Sequence, residues 1–204
     1  MAAIYEKLSQ HIHSYPEGTI FSVNSLRNYG SYSSVHRTLE KLCGENMIHK
    51  IYKGIYANFK YSKWTKQYIL PSIKNILEFI SKEYNFTYYI HGALALNILG
   101  LTTQNPIEYV YSTTGKNKII TILGYNIKFY HVPKWQLIYG ERPEGIALIA
   151  IGYLGKQNCT IEKFLKIAQK LPKKSLAILL NTCNVPKWVN NIFSNYRGNY
   201  DIIF

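Results

Sequence analysis

Apolar residues recur at helical spacing from the start of the chain. Ile4, Leu8 and Ile12 stand at i, i+4 and i+8, which predicts a helix over Ala3 to Tyr15 with one apolar stripe. Pro16-Glu17-Gly18 stops it. Thr19 to Ser22 is a brief extended piece, and Ser22 is placed to cap a second helix over Val23 to Asn28. After the Tyr29-Gly30-Ser31 turn, a third helix begins near Ser33 or Ser34, with Ser31 or Ser33 as its N-cap. Val35, Leu39 and Leu42 keep i, i+4, i+7 spacing there, and Gly44 closes it. Met47 to Tyr56 holds two β-prone runs around Lys53-Gly54, the pattern of a hairpin. This order of elements predicts a winged helix-turn-helix over residues 1–60.

Residues 57–66 are polar and aromatic and read as a linker. Beyond them, Lys66 to Tyr84 places Ile69, Ile73, Ile76, Leu77 and Ile80 on one side of a helix. Thr87 to Ile90 is strand-like, and His91 to Leu99 is a helix ended by Gly100. Three β-prone runs follow: Glu108–Ser112, Lys118–Leu123 and Tyr125–His131. Helices are expected over Gly145–Leu154, Thr160–Gln169, Lys173–Asn181 and Pro186–Phe193. The expected class is α+β: the N-terminal head, then a mixed C-terminal domain over 61–204 with strands within about 87–131 and helices after 144.

Of 204 residues, 47% are hydrophobic and 17% charged, which excludes intrinsic disorder. The balance of 24 Lys+Arg against 11 Asp+Glu leaves a net charge of +13 and points to a polyanionic partner, nucleic acid first. Residues 1–60 carry seven Lys+Arg and four Glu, a net +3; residues 61–204 carry seventeen against seven acids, a net +10. Most of the excess thus lies outside the head, with Lys170, Lys173 and Lys174 as a dense cluster.

The acids narrow the chemistry further. Asp201 is the only aspartate, so no Asp-x-Asp pair can hold two metals. Glu141 and Glu144 are the nearest acidic pair, in a Gly-Glu-Arg-Pro-Glu-Gly loop that reads as solvated turn. Cys43, Cys159 and Cys183 have no Cys-x-x-Cys spacing and suggest a reduced, cytoplasmic protein. No basic-then-apolar leader opens the chain, and the apolar run Ile146–Leu154 falls short of the roughly 20 residues that span a bilayer. A membrane partner is not expected.

His11 and His13 fall on different faces of the first helix, a poor metal geometry. A His91–His131 site is conceivable but lacks a nearby carboxylate or thiol. His91-Gly92-Ala93 invites comparison with the phosphate-holding turn of a nucleotidyltransferase, yet Leu94-Ala95-Leu96-Asn97 supplies none of the carboxylates that chemistry needs. There is no P-loop and no Gly-x-Ser-x-Gly elbow. No catalytic residue, metal or cofactor is expected, and the protein reads as a non-enzyme.

The third helix carries the candidate chemistry. With Val35, Leu39 and Leu42 inward, its other side presents Ser33, Ser34, His36, Arg37, Glu40 and Lys41. Small hydroxyl residues at a helix N-terminus suit a phosphate, and Arg37 is the long donor suited to base edges. Arg27, Lys50, Tyr52 and Lys53 flank it as candidates for phosphate contacts.

Two stretches resemble the AbiEi family, antitoxins of type IV abortive-infection toxin–antitoxin systems. Gly18-Thr19-Ile20-Phe21 through Val35-His36-Arg37-Thr38-Leu39-Glu40-Lys41-Leu42, then Ile48-His49-Lys50-Ile51-Tyr52-Lys53-Gly54-Ile55-Tyr56, resembles the family's winged-helix head, with Lys50 and Lys53 where its wing tends to carry Arg. His91-Gly92-Ala93-Leu94-Ala95-Leu96-Asn97-Ile98-Leu99-Gly100-Leu101-Thr102-Thr103-Gln104-Asn105-Pro106 resembles the opening of its C-terminal antitoxin domain. The resemblance implies an antitoxin that represses its own operon by binding double-stranded operator DNA. It also implies a functional partner, a nucleotidyltransferase-like toxin, opposed by the C-terminal part without a stable complex. The alternative is a protein-interaction module that binds and neutralises an acidic toxin directly.

Overall fold

The computed structural model describes residues 2–58, 60–104 and 109–199. Its class is α+β. The chain divides into two compact units, residues up to 85 together with 121–125, and residues 86–120 together with those from 126 onward.

The first unit opens with α1 (Ala2–His13), β1 (Ile20–Ser22) and a 3-10 helix (Asn24–Tyr29). Then come α2 (Tyr32–Gly44), β2 (Ile48–Tyr52) and β3 (Ile55–Asn58). The three strands form an antiparallel sheet in the order β1-β3-β2, with Phe21 opposite Tyr56 and Lys50 opposite the same Tyr56. Gly54 turns the β2–β3 hairpin at φ +67°, a conformation that a side chain disfavours. Leu8 and Ile12 of α1, Val35, Leu39 and Leu42 of α2, and Phe21, Val23, Leu26, Ile48 and Tyr56 form one core. The apolar stripes of both helices therefore turn into this shared core, as their periodicity requires. The buried Asn58 amide donates to the Ile12 carbonyl at 2.8 Å and ties β3 to the end of α1.

The stretch expected to be a linker and an early helix is organised differently. Residues 55–58 complete β3, and β4 (Lys60–Ser62) pairs antiparallel with β5 (Gln67–Ile69). The helix expected from Lys66 begins only as α3 (Ile73–Glu83). Pro71 drives the residue before it toward extended backbone, and Ser72 caps α3 by accepting the Asn75 N–H at 3.2 Å. Ile76, Leu77 and Ile80 of α3 are buried, and α3 packs against β1. This first unit therefore extends past the head that composition marks out. The expected second helix is a 3-10 helix; its six residues are anchored by Ser22, whose Oγ accepts the Ser25 N–H at 3.1 Å.

The second unit contains β6 (Tyr88–Ile90), α4 (Gly92–Ile98), β7 (Val110–Thr113), and, apart from residues 121–125, β8 (Lys118–Ile122) and β9 (Tyr125–His131). Its sheet runs β6-β7-β9-β8, with β7 and β9 parallel. A 3-10 helix (Lys134–Leu137) leads to α5 (Pro143–Asn158), α6 (Ile161–Lys170), α7 (Lys173–Leu180) and α8 (Lys187–Asn199). Ala147 to Ile151 are all buried, so this stretch of α5 is covered on every side and forms the hub of this unit. Phe164 of α6 sits 5.5 Å from Phe193 and 5.3 Å from Tyr196, ring to ring. A Cβ at Gly92 would overlap the Tyr153 side chain, so the glycine in the His91-Gly92-Ala93 string lets α4 lie close against α5. Asn105, Pro106, Glu108 and Asp201 lie outside the described residues.

Candidate nucleic-acid interface

Helix α2 starts on Ser31, whose Oγ accepts the Ser34 backbone N–H at 3.3 Å. The same oxygen lies 2.9 Å from Ser34 Oγ and 3.2 Å from Ser33 Oγ. Three hydroxyls thus gather at the positive end of the helix, whose first turn contains no acid. Such an end favours an anion.

Val35 and Leu39 are 0% exposed and Leu42 1%, which turns the opposite side of α2 to solvent. Ser33, Arg37 and Lys41 are exposed there, and Ser34 and His36 are half-buried. Arg27, in the 3-10 helix, and Lys53, at the hairpin turn, are exposed as well. The side chains of Arg27, Arg37 and Lys53 form no hydrogen bond or ion pair among the described residues. Tyr52 is half-buried with its ring edge-on to Tyr84 at 6.3 Å, and Tyr84 donates its hydroxyl to the Lys53 carbonyl at 2.8 Å. That bond fixes the backbone of the hairpin turn without engaging the Lys53 ammonium.

Lys50 and Lys41 are differently placed. Lys50 Nζ donates to Glu40 Oε1 at 2.8 Å, and the Tyr56 hydroxyl donates to the same oxygen at 2.7 Å. His36 Nε2 lies 3.7 Å from it. The carboxylate therefore clamps α2 to both strands of the hairpin and uses Lys50 in doing so. Lys41 Nζ lies 3.8 Å from Glu45 Oε1 and 4.3 Å from the centre of the Tyr5 ring, which holds it toward α1. Tyr5 in turn donates its hydroxyl to Glu45. Periodicity places Glu40 on the outward side, but its pairing needs β2 laid beside the helix, a contact between residues ten apart that no local pattern signals.

The hydrogen bonds from Lys50 and Tyr56 hold the Glu40 carboxyl below its ordinary value. A lowered carboxyl stabilises the fold above the ordinary carboxylate range and loses that contribution as pH falls through the lowered value. Glu40→Gln is expected to melt at a lower temperature than the wild type at neutral pH. The difference should begin to shrink as pH enters the ordinary carboxylate range and close only once pH has fallen through the lowered value of the folded protein. Melting curves of both proteins across that range check it; a difference independent of pH would mean that the charge plays no part.

Between α1 and α2 lies a groove of about 510 Å³, lined by Ile4, Tyr5 and Glu6 on one side and Ser34, Arg37, Thr38 and Lys41 on the other. It sets Arg37 at the rim of a concave strip. Cys43, on the inner flank of α2, is pushed up to about 11 by burial and stays a thiol, which leaves it a packing residue.

The two histidines of the second unit are each engaged locally. His91 caps α4, accepting the Ala93 N–H at 3.4 Å on Nδ1, and its ring lies 5.0 Å from that of Tyr153. Burial lowers its pKa, favouring the neutral ring that capping needs. His131 Nδ1 pairs with the Gly115 carbonyl at 2.9 Å. Among the described residues no group of three His, Cys, Asp or Glu could hold a metal ion. No helix there is long and apolar enough to cross a membrane.

The first unit also carries a basic stretch with an aromatic tip that helix faces do not reveal. From Asn46 to Asn75 the sequence has six lysines and no acid. Within that stretch Trp64, at the tip of the β4–β5 hairpin, is 98% exposed. The run of unopposed lysines is visible in the residues; the exposure of the indole is not.

No curated protein matches the chain. A family model described as a family of unknown function, DUF6088, matches residues 7–178, which takes in α2, its hairpin and most of the second unit. On that match, the chain belongs to the DUF6088 family.

Proposed function

We propose that residues 1–60 are a winged helix-turn-helix that binds double-stranded DNA, with α2 as recognition helix and the β2–β3 hairpin as wing. The element order α1-β1-(3-10)-α2-β2-β3 and the sheet order β1-β3-β2 support this reading. The observation that carries it is Arg37: exposed on the outward side of α2, unpaired among the described residues, and one turn beyond a hydroxyl-lined helix start. A guanidinium left free in such a place suits bidentate contact with guanine. Ser33, Ser34, His36 and Lys41 would share the major groove. Arg27, Tyr52 and Lys53 would meet phosphates, and Lys50 would serve chiefly to hold the wing through Glu40.

In this reading the protein is a cytoplasmic autorepressor and the antitoxin of a type IV toxin–antitoxin pair, an assignment that rests on the resemblance to AbiEi in the head and in the His91–Pro106 string. Neither role calls for a cofactor or a catalytic residue of this chain.

Fluorescence anisotropy with the duplex upstream of the protein's own reading frame, against a scrambled duplex, tests the DNA-binding reading. Both affinities should fall with salt, and the upstream duplex should be preferred by about a thousandfold or more. Equal affinity for the two would overturn the repressor assignment. Co-expression with the adjacent reading frame tests the antitoxin role: growth arrest caused by the neighbour alone should be relieved by this chain, and persistent arrest would remove it.

A further inference from the structure

Strands β4 and β5 form a two-stranded hairpin that follows the wing directly in the chain, in the same compact unit as α2. Its turn is ordered by local bonding: the Thr65 N–H donates to Ser62 Oγ at 3.2 Å, and Lys66 takes a positive φ of 52° to close it. At the tip stand Lys63, Trp64, Thr65 and Lys66, all exposed. Trp64 is 98% exposed, whereas a tryptophan in a folded protein is on average largely buried.

An indole held in water on an ordered turn contributes nothing to the fold. Its chemistry points outward: a flat π-surface with a lysine on either side. The surroundings give the sign of what it meets. Between Glu45 and Glu78 the chain has no acid, while Lys50, Lys53, Lys60, Lys63, Lys66 and Lys74 fall within that span. A basic arm with an aromatic tip matches a duplex backbone, phosphates for the lysines and the apolar faces of sugars for the indole.

We propose that the β4–β5 hairpin is a second nucleic-acid contact, in which Trp64 packs against bases or sugars of DNA flanking the site read by α2, with Lys63 and Lys66 on its phosphates. The contact rests on the DNA-binding reading of the head and extends its footprint. It is tolerant of sequence, because the sugar–phosphate backbone is the same at every base pair.

The test uses the full chain with the upstream duplex as probe. Trp64→Ala should weaken binding on the order of tenfold on upstream and scrambled duplex alike, and Trp64→Phe should retain part of the affinity. Lys63→Ala with Lys66→Ala should flatten the salt dependence by about two phosphate contacts. Because the tip stands in water, all variants should melt with the wild type. Duplex should also quench a tryptophan emission component that Trp64→Phe lacks. If Trp64→Ala binds DNA as the wild type does while Arg37→Ala loses specificity, the hairpin contact is refuted and the head assignment stands. If the wild type binds no duplex at all, both fall. A shift of Trp64 emission with phosphatidylglycerol vesicles and none with DNA would overturn the proposal in favour of a lipid surface.

Discussion

Leu39→Ala is expected to destabilise the first unit by about 2–5 kcal/mol. Leu39 is 0% exposed and packs in the core that joins α1, α2 and the sheet. Truncation removes its transfer free energy and leaves a cavity, because Val35, Leu42 and Tyr56 around it are anchored by backbone that cannot close the gap. A loss of that size is a large share of the roughly 5–15 kcal/mol that holds an ordinary domain folded. Thermal melting followed by circular dichroism would show an earlier transition. DNA binding should fail in parallel, at the temperature where the unit opens. A variant that melts with the wild type would mean that α2 is not seated on this core.

Arg37→Ala separates recognition from folding. The side chain is exposed and unpaired among the described residues, so melting should be unchanged within about 0.5 kcal/mol, the usual range for a surface substitution. Operator affinity should nevertheless fall by about 1–3 kcal/mol, roughly five- to 150-fold, and the preference for the upstream duplex should relax. Lys53→Ala gives the contrast. Its ammonium has no partner among the described residues at the β2–β3 turn, and its loss should weaken upstream and scrambled duplex about equally while reducing the salt slope by about one. Anisotropy titrations at several salt concentrations distinguish the two. Equal losses from both changes on both duplexes would defeat the division of labour between base and phosphate contacts.

Much of the head can be read from residue spacing because each element there carries its own signals. Ile4, Leu8 and Ile12 mark the buried side of α1, and Val35, Leu39 and Leu42 that of α2. Ser31 caps α2, one of the two serines that the pattern allows. The region after residue 60 is harder, since Ile69 fits the helical period of Ile73, Ile76 and Ile80 yet belongs to β5. There the decisive marks are Pro71 and Ser72, which forbid and then start the helix. Charge pairing is the least legible. Nothing in the spacing of Lys50 and Glu40 says that one neutralises the other; β2 must first be laid beside α2. The consequence for the candidate site is concrete, since a lysine expected on phosphate is largely occupied in holding the β2–β3 hairpin against α2.

The most direct test is an NMR titration of the isotope-labelled full chain with its upstream duplex. Shifts concentrated at Ser33, Ser34, Arg37, Lys41 and Lys53, saturating at a fixed protein-to-duplex ratio, are the expected result. Binding that leaves those signals in place and perturbs only the Lys170–Lys174 region, or no binding at all, would contradict a DNA-reading α2.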